Sequence, residues 1–167
     1  MAKGMIAGTD EIPVRLDPLI DFEDRLVSGD LTENGVQYSD EAITTDADTY
    51  IEAFTKTIDP LIEGELLWVE LRLAAELKAI SSAAADLKWK WQARNKDGTW
   101  VDLHSEVTEA DIGTTYQSRT RSGYFTPGAD FQRVPFEVRL LLQCNEANQG
   151  RARVRNDSYI RAAYRAI

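Results

Sequence analysis

From residue 67 to 79 every second position is apolar. Leu67, Val69, Leu71, Leu73, Ala75, Leu77 and Ala79 share one phase, while Glu70, Arg72, Glu76 and Lys78 share the other. Alternation sustained over a dozen residues predicts a long, half-buried β-strand. A helix competes, because Leu66, Val69, Leu73, Leu77 and Ile80 also fall on one helical stripe and Ala, Leu, Glu and Lys favour helices. The strand is preferred because alternation accounts for each charged position and the neighbouring segments share it.

Leu87, Trp89, Trp91 and Ala93 alternate with Lys88, Lys90 and Gln92. Asn95-Lys96-Asp97-Gly98 then supplies turn chemistry, and Thr99–Leu103 returns, so 87–103 reads as a β-hairpin. Further along, Val134, Phe136, Val138, Leu140, Leu142 and Cys144 share a face. Ala152 and Val154 lie between arginines, and Ile160, Ala162, Tyr164 and Ala166 alternate with Tyr159, Arg161 and Arg165. Weaker strands are predicted at 49–58 and 114–121. Eight or nine strands joined by Gly-, Asn-, Asp- and Pro-rich connections, with no long helix, predict an all-β fold. The expected form is an antiparallel β-sandwich, jelly-roll-like, over residues 36–167.

Residues 1–35 lack this period. Pro13, Pro18, Gly29 and Gly35 punctuate short apolar clusters, Val14-Arg15-Leu16 and Leu19-Ile20-Asp21-Phe22. The pattern predicts an extended acidic N-terminal arm lying on a surface, with Leu16, Leu19 and Phe22 as its contact residues. Deleting 1–35 is then expected to leave the sandwich folded. Charge sharpens the division. Residues 1–65 hold four basic and sixteen acidic residues, a net of −12, whereas 66–167 carry a net of +3. An acidic front and an arginine-rich end attract one another within one chain or between copies.

The whole chain of 167 residues carries a formal charge of −9, which disfavours nucleic acid and anionic membranes as partners. No apolar run resembles a secretory signal or a transmembrane helix, so the expectation is synthesis in a cytosol. One cysteine (Cys144) and one histidine (His104) leave no material for multi-cysteine zinc sites or paired-histidine centres. Neither cofactor nor metal is expected, and no catalytic residues are assigned.

The residues that remain point to contact rather than chemistry. Trp89 and Trp91 share the buried phase of their strand and read as core. Trp68 and Trp100 fall on the polar phase, as partner-binding candidates toward protein or sugar. His104 reads as a solvated loop residue, Asp46-Ala47-Asp48 as a turn, and Cys144 as a small buried hydrophobe. Arg151, Arg153 and Arg155 point three guanidinium groups to one side of a strand, about 6.5–7 Å apart. Their expected counterpart is a row of carboxylates, most economically the acidic arm of a neighbouring copy.

Several stretches together carry a resemblance: Tyr50-Ile51-Glu52-Ala53-Phe54-Thr55, Trp89-Lys90-Trp91-Gln92-Ala93-Arg94-Asn95, Gly98-Thr99-Trp100, Pro135-Phe136-Glu137-Val138-Arg139-Leu140 and Val154-Arg155-Asn156-Asp157-Ser158-Tyr159. With the acidic start, they resemble the small β-sandwich structural proteins of tailed bacteriophage particles, of the head decoration or cement type. The resemblance implies a non-enzymatic homo-oligomer in the virion that binds other protein subunits, the major capsid protein above all. A carbohydrate- or receptor-binding module of the same fold is the alternative.

Overall fold

A computed structural model describes residues 19–27, 31–58, 64–81, 85–95, 98–125 and 136–166. The strands in chain order are β1 (Leu19–Arg25), β2 (Leu31–Glu33), β3 (Val36–Tyr38), β4 (Ala42–Ile43), β5 (Ile51–Ile58), β6 (Gly64–Ala79) and β7 (Leu87–Asn95). They continue with β8 (Val101–Asp102), β9 (Val107–Glu109), β10 (Gln117–Phe125), β11 (Phe136–Cys144), β12 (Gly150–Val154) and β13 (Tyr159–Ala166). Among the described residues there is no helix, and none long and apolar enough to cross a membrane.

Two antiparallel sheets hold nearly all of these. In the first, β6 is flanked on one side by β10 and on the other by β13 and β12 in tandem; β1 then pairs with β13, and β4 with β12. In the second, the order runs β5, β11, β7, and then β8 and β9 in tandem. Merging the tandem pieces leaves eight strand positions along the chain. One sheet takes them in the order first, eighth, third, sixth, and the other second, seventh, fourth, fifth. That interleaving is the jelly roll, with consecutive positions crossing between sheets except the fourth and fifth, which form the β7–β8 hairpin.

The core lies between the sheets and follows the alternation. Val69, Leu73, Ala75, Leu77 and Ala79 face Leu87, Trp89, Trp91, Ala93, Val138, Leu140, Leu142 and Cys144, all essentially without solvent contact. The helical competitor for 66–80 is therefore excluded. β6 is one strand of 16 residues, pinned by three antiparallel neighbours. The 87–103 hairpin forms, with a return strand limited to Val101–Asp102, and the strand expected at 114–121 lies at Gln117–Phe125.

Of residues 1–35, the described residues 19–27 form a packed strand and its continuation. β1 pairs over its whole length with β13, from Leu19 opposite Arg165 to Arg25 opposite Tyr159. Leu26 and Val27 are buried in the core. Removing 1–35 would therefore take away an edge strand and two core residues. β2 and β3 form a separate hairpin through Asn34-Gly35, both at positive φ (52° and 79°), as a tight two-residue hairpin turn requires. It is tied to the first sheet by Ser39 N–H to Val154 O (2.8 Å) and Asn156 N–H to Gln37 O (2.9 Å).

Candidate functional site

The two outer faces and one open edge carry the side chains that sequence singled out. On the first sheet, Arg151 and Arg153 of β12 and Arg155 just after it stand side by side, as alternation predicts, and each meets carboxylate. Arg153 donates through Nε and Nη2 to Glu76 Oε2 (2.9 and 2.7 Å) and through Nη1 to Glu33 Oε2 (2.8 Å). Its guanidinium lies 3.7 Å from the ring centroid of Tyr38 and 3.9 Å from that of Tyr116. Tyr38 and Ser118 also donate to Glu76 Oε1. Side-chain exposure is only 15% for Arg153 and 10% for Glu76. A charged pair this enclosed persists because hydrogen bonds fill the carboxylate's remaining lone pairs.

Around it, Arg151 pairs with Glu41 (3.3 Å), which also meets Lys78 (3.7 Å) and accepts a short hydrogen bond from Tyr116. Burial, then the Glu41 contact, pushes the Tyr116 phenol well above its ordinary range. Arg155 Nε faces Asp157 Oδ1 at 3.2 Å, without hydrogen-bond alignment, and Asp157 also meets Arg72 (3.0 Å). Of the two ways an acidic front can meet a basic end, the pairs Glu33–Arg153 and Glu41–Arg151 take the intramolecular one. Within the chain the carboxylates at these two guanidiniums come from the hairpin (Glu33), a loop (Glu41) and β6 (Glu76).

On the second sheet, Trp100 folds back over the strands. Its ring centroid lies 3.9 Å from the Arg139 guanidinium and 4.7 Å from that of Arg94. Arg94 is held by Glu137 (2.7 Å), and Arg139 by Gln92 (2.9 Å) and Glu52 (3.2 Å). The Gln92 amide donates to Asp102 (2.6 Å), and Lys90 meets the same carboxylate (3.1 Å). The Gln92 hydrogen bond, ahead of Lys90, holds Asp102 below the usual carboxylate range. The half-buried indole thus rests on two fixed cations. Arg94 and Arg139 escaped sequence reasoning: they stand 45 residues apart, and only the β7–β11 register brings them together. Their outward phase was the one available signal.

Trp68 lies on β6 opposite Ala163, half-buried. Leu19 and Phe22 lie in β1, opposite Arg165 and Ala162, and Leu16 falls outside the described residues. The structure brings the three arginines together. It does not bring Trp100, which stands on the other sheet, into that group.

His104 is not the solvated loop residue expected. It fills the break between β8 and β9: its Nε2 accepts the Trp91 N–H (3.1 Å), and Nδ1–H donates to Ser105 O (2.7 Å). The ring packs edge-on against Trp89, centroids 5.2 Å apart. Burial holds the imidazole below its ordinary pKa, so the neutral Nδ1–H form fits both bonds. Ser158 does similar work between β12 and β13, its Oγ accepting from Ala74 N–H (2.9 Å) and donating to Ala74 O (3.1 Å). Cys144 is buried, and burial pushes its thiol pKa up. Among the described residues no cluster of His, Cys, Asp and Glu could hold a metal ion.

No family model matches the chain, and no curated protein does. Solved structures do. A chain of infectious bursal disease virus, Gt strain, is 8% identical over 89% of this chain and 34% of its own, with a TM-score of 0.49. The T13 particle of that virus gives 9%, 89%, 36% and 0.49. A xylan-binding module gives 12% identity over 90% of this chain and 99% of its own, with a TM-score of 0.39. The chain spans about a third of the length of those viral chains. At such identities the likeness concerns chain path and carries no residue's role across.

Proposed function

We propose that this jelly roll is a non-enzymatic binding subunit of a virus particle, a decoration protein that attaches to the protein shell as one of many copies. The observation that carries the proposal is the Trp100 platform on the second sheet. A half-buried indole laid on Arg139 and Arg94 has the aromatic-and-arginine make-up of interface centres. Its underlying cations are already fixed by Glu52, Glu137 and Gln92, so little ordering cost falls on binding. The chain's best candidates for chemistry support the same reading, since His104 and Ser158 spend their polar atoms on backbone groups and Cys144 is buried. In this proposal the sequence before residue 19, with Leu16, adds a second contact, and many copies on a symmetric shell gain strength by multivalency.

A second reading, a carbohydrate-binding module, draws on the same ring: the indole offers a stacking face, and Gln92 and Asp102 on the same sheet offer hydrogen-bonding groups. Two measurements separate the readings. Native protein should co-sediment with a large symmetric particle, and Trp100→Ala should lower its occupancy on that particle about tenfold or more, with an unchanged melting curve. Full occupancy by Trp100→Ala would remove the platform from the mechanism. Tight binding on a glycan array, lost in Trp100→Ala, would decide for the second reading.

A further inference from the structure

β10 is where the two-residue period meets the core badly. Residues 117, 119, 121 and 123 stand opposite Leu77, Ala75, Leu73 and Leu71, on the inward phase, yet they are Gln, Arg, Arg and Gly. Arg119 is neutralised there by Glu109, Nη2 to Oε2 at 2.8 Å. Gly123, itself exposed, sets no side chain beside Leu71, and a methyl built on its α-carbon would meet no atom within 4 Å. The result is a cleft of about 100 Å³ at the sandwich edge, lined by Leu71, Leu73, Leu103, His104, Arg121, Ser122 and Gly123.

Arg121 stands at this cleft exposed, its guanidinium 5.1 Å from the ring centroid of Trp89. Among the described residues no carboxylate lies within ion-pair distance of it, unlike Arg119 two residues earlier. The His104 ring presents no free nitrogen, because both are engaged with backbone. The site is therefore an apolar slot with a single planar cation at its rim.

We propose that this cleft binds a small organic carboxylate, with a short aliphatic tail seated among Leu71, Leu73 and Leu103 and its carboxylate on the Arg121 guanidinium. An apolar cavity of about 150 Å³ holds a benzene molecule, so this smaller one suits a tail of roughly four to five carbons. The guanidinium fork matches a carboxylate with two parallel hydrogen bonds. One cation in a chain of net charge −9 favours a monoanion over a doubly charged phosphate.

The test uses the full chain, reading the tryptophan indole N–H signals by NMR, with the Trp89 signal identified through Trp89→Phe. The ligands are 4-methylpentanoate, its neutral amide of the same shape, and methyl phosphate. The acid should give a saturable shift of the Trp89 signal with a dissociation constant of roughly a millimolar, as expected for so few atoms. The amide and methyl phosphate should bind at least about tenfold more weakly. Arg121→Gln should weaken the acid about tenfold. Gly123→Leu, placed where space is open, should abolish the shift and raise the melting temperature. The proposal is overturned if the acid gives no saturable shift, if the amide or methyl phosphate matches it, or if either variant binds as the native chain does.

Discussion

Each sheet contains one long strand faced by a neighbour that arrives in two pieces, and the two breaks are mended by different chemistry. On β6 the gap between β12 and β13 is closed by Ser158, whose hydroxyl both accepts from and donates to the backbone of Ala74. On β7 the gap between β8 and β9 is closed by His104, which accepts the Trp91 N–H. A hydroxyl keeps both roles at any ordinary pH. An imidazole accepts only while neutral, and on protonation it turns from acceptor to donor. The first sheet is therefore mended independently of pH, and the second only above the imidazole's titration.

The largest effect is expected from Ser158→Ala. It leaves the buried Ala74 N–H without its acceptor, at a cost of about 2 kcal/mol in urea denaturation. That loss should be the same at acid and neutral pH. A loss that grows on acidification would erase the contrast between the two breaks.

His104→Ala should come next, at about 1–2 kcal/mol near neutrality, through the freed Trp91 N–H and the lost packing on Trp89. It should also flatten the pH profile. Burial holds His104 below the ordinary value of 6.5, so the unfolded chain takes up the proton first as pH falls. The stabilisation is thus fully present above 6.5 and is lost as pH falls through the folded-state value. Parallel pH profiles for native protein and His104→Ala would show that the imidazole is not the titrating element.

The smallest effect belongs to His104→Gln. Its amide oxygen can accept from Trp91 without titrating, so it should recover part of the stability lost in His104→Ala, within about 1 kcal/mol of native, with a flat acid limb. Recovery with a native-like acid limb would place the titration elsewhere.

Much of the fold was legible because burial acts every second residue. β6, β7 and β11 announce themselves by period, and the outward phase of Arg151, Arg153 and Arg155 follows from the same rule. The functions of His104 and Ser158 were not legible. Each side chain stands in for a missing backbone partner on a strand brought alongside by the fold, and local sequence does not encode that partner. β1 was hidden likewise: Asp21, Glu23 and Asp24 blur its alternation, and its ladder is made with residues some 140 positions away. The hairpin through Asn34-Gly35 did carry a local signal, a favoured two-residue turn between the short segments Leu31-Thr32-Glu33 and Val36-Gln37-Tyr38. At the platform, Trp100 was marked by phase, but its two supporting guanidiniums come from strands adjacent only after folding.

The pairing of β1 with β13 sets how the molecule responds to a mechanical load. Leu19 stands opposite Arg165, so a tether before the one and a cargo after the other leave from the same corner of the sheet. Traction on both would peel the ladder apart rung by rung from that corner, each rung bearing the load alone. Traction between the start of β1 and a point on the far sheet would instead strain many rungs at once. An attachment made through this end therefore yields to one direction of pull and resists another.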